Sequence, residues 1–152
     1  MTRHGRSSPS SSPGSSLPDP ASVAAVGAGG LIGTALRYGT GLAVPAAPGA
    51  WPWATFTVNV VGAFVLSALL VALRRLGPDD GPRRAARLAF GTGLLGAFTT
   101  YSGLALEEVR LVGVGSPGLA VAYGAVSVLV GLAAAGLGIL AGRWVTPREP
   151  AP

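Results

Sequence analysis

Four long stretches of this 152-residue chain are almost free of charge, and that feature constrains the fold more than any other. Ala21 to Val44 is apolar apart from Ser22, Arg37, Tyr38 and threonines, while Trp53 to Leu73 and Leu88 to Leu106 contain no charge at all. The last stretch, Val112 to Gly142, is also uncharged, and Gly115-Ser116-Pro117 near its start suits a helix beginning at about Pro117. Crossing roughly 30 Å of hydrocarbon takes about 20 residues of helix. The spacing therefore predicts an all-α integral membrane protein with four transmembrane helices, at 21–44, 53–73, 88–106 and 117–142.

Composition agrees with this class. Charged residues make up 11% of the chain, against about a quarter in soluble domains. Cysteine is absent and the single histidine, His4, lies in the N-terminal segment, which argues against Ser/His, Cys/His or zinc chemistry and so against an enzyme. The arginines flank apolar runs without interleaved aromatic residues, a pattern of membrane orientation and not of nucleic-acid binding.

The chain opens with a Ser/Pro-rich segment, residues 1–20, with Arg3 and Arg6 and no apolar core of a signal peptide; it reads as a disordered cytoplasmic tail. Residues 21–143 form the transmembrane domain, and 144–152 a second short cytoplasmic tail. Trp51 and Trp53 sit in a proline-rich loop where an interfacial aromatic belt belongs. Nine arginines fall on one side (Arg3, Arg6, Arg74, Arg75, Arg83, Arg84, Arg87, Arg143 and Arg148), against Arg110 on the other. The positive-inside rule then places both termini in the cytoplasm of a cell-membrane protein.

Small residues recur four apart, as in Gly29 with Gly33, Gly93 with Ala97, Ser127 with Gly131 and Gly138 with Gly142, a spacing that lets helix backbones approach closely. Four helices enclose little interior. A transport route is expected at or beside a subunit interface of an oligomer.

Polar groups inside apolar helices carry the functional signal, because each must find a partner. Arg37 in the first span can draw an anion toward a vestibule or snorkel to the interface as an anchor. Asn59 in the second can donate to an anion or serve as glue between helices. The third span reads Gly91-Thr-Gly-Leu-Leu-Gly96-Ala-Phe-Thr99-Thr100-Tyr101-Ser102, poor material for an uninterrupted helix. It either breaks mid-membrane and turns hydroxyls to a pore, or packs as a Gly/Thr face with hydroxyls bonded back one turn. Tyr123, Ser127 and Gly131, four apart, share one face of the fourth span.

Taken in series, Gly33-x-x-x-Arg37-Tyr38, Thr57-x-Asn59-x-x-Gly62, Gly96-x-x-Thr99-Thr100-x-Ser102 and Tyr123-x-x-x-Ser127-x-x-x-Gly131 resemble the fluoride-channel family, Fluc or CrcB. The resemblance covers roughly residues 24 to 142. It implies an antiparallel dimer enclosing two fluoride pathways, with the third helices broken and a structural sodium ion buried between them. The sodium would be held by the backbone carbonyls of Gly96 and Thr99. Asn59, Thr100, Tyr101, Ser102, Tyr123 and Ser127 would lie along the fluoride route, with Arg37 toward a vestibule. Function would be passive export of fluoride, lowering its toxic concentration in the cytoplasm.

Two positions depart from the family pattern. Paired threonines are usually followed by Phe-Ser-x-Phe, whose ring edges line the anion path, whereas here Tyr101, Ser102, Gly103 and Leu104 follow, leaving one ring absent. That departure and the one-sided arginines favour a heterodimer with an oppositely oriented paralogue over a homodimer. Two other classes share the size: a proton-coupled small-multidrug-type transporter, which needs a carboxylate within a span, and a non-transporting assembly protein. Glu107 and Glu108 fall only at the end of the third span.

Overall fold

The computed structural model describes residues 19–145, so most of both expected tails lies outside the described residues. Those described form helices and connections, with no strand among them. Helix α1 spans Pro20–Ala43, α2 Trp53–Arg75, α3 Gly81–Ala86, α4 Gly96–Phe98, α5 Tyr101–Gly113 and α6 Pro117–Val145. A π-helical segment, Arg87–Leu95, joins α3 to α4 without leaving helical backbone geometry, so these three pieces form one rod.

Local chemistry sets the helix ends. Asp19 caps α1 by accepting from the Ala21 and Ser22 amides at 2.9 and 3.2 Å, with Pro20 in the first turn. Arg74 and Arg75 close α2, where positive charge suits the helix C-terminus. Gly77 then turns the chain with φ of 124°, a conformation other residues resist. The third segment begins earlier and ends later than its apolar run, because α3 precedes it and α5 continues past Glu107, Glu108 and Arg110 to Gly113.

Two packing units result. The most extensive contact joins α2 to α6, and α5 packs on the same α6. Helix α1 lies against the π-helical segment and α4. Glycine permits both close approaches: a Cβ at Gly29 would strike the Ala89 carbonyl and one at Gly33 the Leu94 carbonyl, while on α6 a Cβ at Gly138 would strike the Phe64 carbonyl. Gly131, by contrast, faces open space.

The surface is inverted relative to a soluble protein. Leu31, Val121, Leu129 and Leu132 are exposed, whereas the buried hydrophobic residues are few: Val58, Leu95, Leu111, Ala120, Tyr123 and Ala134. Helices α2 and α6 are long and apolar enough to cross a bilayer.

Candidate functional site

The rod stops at two residues. Thr99 (φ −75°, ψ 155°) and Thr100 (φ −152°, ψ 120°) are extended, and helix resumes at Tyr101. β-Branched threonines tolerate this backbone well, and Thr100 then serves as N-cap: its Oγ1 accepts from the Gly103 amide at 2.9 Å. The Thr99 hydroxyl bonds back to the Leu95 carbonyl at 3.0 Å. An interrupted helix frees backbone groups that must be satisfied.

Helix α2 satisfies them. The Asn59 Nδ2 donates to the Thr100 carbonyl at 3.0 Å, and the Thr100 amide donates to Asn59 Oδ1 at 2.8 Å. One side chain thus pairs with both backbone groups of one residue, as a neighbouring peptide would. A turn further along, Gly62 makes room for the Thr99 methyl, which a Cβ there would strike. The motif Asn59-x-x-Gly62 is therefore one helix face shaped to hold the interruption.

The same clasp changes the rod's last turn. In an unbroken α-helix the Thr100 amide would close on the Gly96 carbonyl, four residues back. Here that amide is turned to Asn59, so Gly96 loses its α-helical donor.

A cavity of about 560 Å³ opens beside the interruption, lined among others by Arg37, Thr55, Thr100, Ser102 and Glu107. Thr100 Oγ1 and Ser102 Oγ lie 3.2 Å apart. Arg37 reaches this cavity because Gly33, one turn earlier on α1, lets the Leu94 backbone approach. A second cavity of about 540 Å³ shares Thr55 and Glu107 and continues past Arg110 to the α1–α2 loop. Glu107 is paired there with Arg110 at 3.2 Å. Around this cavity, beside the Glu107 carboxylate, a guanidinium and several hydroxyls form a set of donors suited to an anion.

Not all the residues singled out in the sequence meet. Thr100, Ser102 and Arg37 line this cavity, and Asn59 stands behind Thr100, bonded to its backbone. Tyr123 lies on α6 in a buried cluster with Leu111 and Ala120, Ser127 is buried one turn further along, and neither hydroxyl has a well-formed hydrogen bond among the described residues. Tyr101 is 84% exposed and lines neither the cavity nor the buried cluster. Sequence reasoning missed Thr55 and Glu107 as lining residues. Thr55 had a signal, since it stands one helical turn before Asn59 and shares its face.

Comparison with known proteins identifies the family. Residues 24–139 match the family described as CrcB-like protein, Camphor Resistance (CrcB). A protein of Cutibacterium acnes named fluoride-specific ion channel FluC 1 is 45% identical over 130 residues, covering 86% of this chain and 91% of that one. One of the same name from Mycobacterium bovis is 41% identical over 128 residues, covering 84% and 94%. In Caulobacter vibrioides the fluoride-specific ion channel FluC is 40% identical over 122 residues, covering 79% and 94%. This chain belongs to the CrcB-like family, that of these fluoride-specific ion channels, and is a membrane protein.

Proposed function

We propose that this chain is a subunit of a fluoride-selective channel through which fluoride leaves the cytoplasm passively. The observation that carries the reading is the interruption at Thr99–Thr100, clasped by Asn59 and opening on the cavity lined by Arg37, Thr100 and Ser102. Fluoride is small and strongly hydrated, so losing its water requires several close donors, and the family relationship selects fluoride among small anions. The chain is a conduit and not an enzyme.

In this reading the third helix is broken at mid-membrane and two chains pair in opposite orientations. A structural sodium ion is assigned to the carbonyls of Gly96 and Thr99. Its chemistry fits: a hard cation takes oxygen ligands, and Gly96 offers a carbonyl relieved of its helical donor. Two carbonyls leave such an ion short of ligands, which a second chain would complete. Sodium would supply a fixed positive centre between the subunits.

The one-sided arginines support termini in the cytoplasm and a partner of opposite orientation. Tyr101, exposed on a single chain, would then be covered by that partner. Fluoride efflux from liposomes, with chloride as control, tests the proposal. Efflux from this chain alone would establish a homodimer, efflux only with a co-expressed paralogue would establish a two-chain channel, and none in either case would overturn the reading.

A further inference from the structure

Three buried side-chain donors lack a hydrogen-bond partner among the described residues: the Trp51 indole Nε1, the Tyr123 hydroxyl and the Ser127 hydroxyl. Tyr123 is 0% and Ser127 6% exposed. Buried donors left unpaired are costly and rare, so three in one region are unusual for a finished core. They are close together. The Trp51 ring meets the Tyr123 ring edge-on, with centroids 5.2 Å apart at 84°, and Ser127 follows one turn beyond Tyr123 on α6.

Trp51 comes from the α1–α2 loop and belongs to none of the four motifs. Its indole nitrogen donates and never accepts, so whatever satisfies it must offer a lone pair. Around it the rings stack edge to face: Trp51 on Phe56 at 5.7 Å and 75°, and Trp53 on Phe56 at 5.8 Å and 89°. Aromatic edges carry partial positive charge. Donors and ring edges gathered at one place are a setting for an anion, and Glu107 and Glu108, which act on Tyr123 electrostatically, oppose it.

Leu104, the position without its ring, packs against this same cluster. Thr55 lines both cavities and, like Ser127, lies near the Tyr123 hydroxyl without a well-formed hydrogen bond to it, so the cluster adjoins the candidate route through one side chain. We propose that the Trp51 indole N–H is a direct hydrogen-bond donor to the permeating anion, replacing from the loop the contact that the absent ring at Leu104 would have made. The inference rests on the fluoride-channel reading. Glu107, which lines both cavities with Thr55, keeps such a site weak, as conduction demands.

Trp51→Phe removes the N–H and keeps a ring, and Trp53→Phe controls for loss of an indole from the same cluster. With three tryptophans in the chain, the indole nitrogen–proton NMR resonances are few, and Trp51→Phe assigns one by its disappearance. Fluoride, and not chloride, is expected to move the Trp51 resonance, with Trp144, 87% exposed, as a stationary reference. Efflux through Trp51→Phe should slow by about fivefold to tenfold, while Trp53→Phe conducts like the natural chain. A Trp51 resonance indifferent to fluoride overturns the proposal, whatever the efflux, and leaves the N–H to a water molecule. The channel reading is judged separately: a moving resonance without wild-type efflux keeps the anion contact and removes the channel.

Discussion

Helices α2 and α6 and the pair made by α1 with the interrupted rod solve different problems with the same small residues. Along α2 and α6 the backbone is continuous, and Gly138 and Gly142 let α6 settle on Phe64 and Ala68. Along α1, Gly29 and Gly33 draw the helix onto Ala89 and Leu94, just before a rod that ends at Thr99. The first unit is a scaffold. The second brings the interruption in the chain within reach of Arg37, and Asn59 is the point where scaffold and interruption join.

Removing that junction should have the largest effect. Asn59→Leu leaves the Thr100 amide and carbonyl without partners, each at about 1–3 kcal/mol, and fluoride efflux is expected to fall to background. Asn59→Asp keeps the acceptor for the amide and should retain part of the stability. Equal thermal stability of Asn59→Leu and the natural chain would break the comparison, since the interruption would then need no clasp.

Next come the glycines. Gly33→Ala and Gly138→Ala both press a methyl into a backbone carbonyl, and each should lose about 1–3 kcal/mol, read as a lower midpoint of thermal aggregation. Gly30→Ala and Gly131→Ala meet open space and serve as controls. The comparison sharpens if, among molecules that remain folded, Gly33→Ala alters fluoride-over-chloride selectivity and Gly138→Ala does not.

A smaller loss is expected from Thr100→Ala, about 1 kcal/mol for the missing cap on the Gly103 amide, with Thr100→Ser restoring it. Folding stability in mild denaturant would measure it. Failure of serine to rescue would mean that the methyl, and not the hydroxyl, matters there.

Smallest is the loop between the units, where Arg87 donates from Nε to both Asp79 oxygens at 3.0 and 2.9 Å. That bond holds the Asp79 carboxyl below the usual carboxylate range, against a modest opposing effect of desolvation. A carboxyl depressed in the folded state stabilises above its unfolded pKa, and the contribution disappears as pH falls through the folded value. Acid unfolding curves of Asp79→Asn should therefore lose a slight dependence below the ordinary carboxylate range and match the natural chain at low pH.

Much of the helical layout is legible because apolar runs of the right length leave few alternatives. Apolarity alone still finds only α2 and α6, since glycines and Arg37 dilute α1 and the extended threonines divide the third segment. The run Thr99 to Ser102 announces poor helix material. What no spacing rule conveys is the partner of Asn59, a backbone group 41 positions away. Glu107 reads in sequence as the end of an apolar run, and only folding brings it to the cavity that Arg37 also lines. Side-chain periodicity reports which face a residue occupies and says nothing of which backbone group waits there.

The clasp bears on what kind of conduit this is. A carrier that opens alternately to two sides must remake part of its internal bonding on every turnover. Thr100 has neither amide nor carbonyl left to trade, because one amide side chain holds both. Such a fastening favours a single resting shape through which ions pass, and flux through it should rise with temperature only as gently as ion diffusion does.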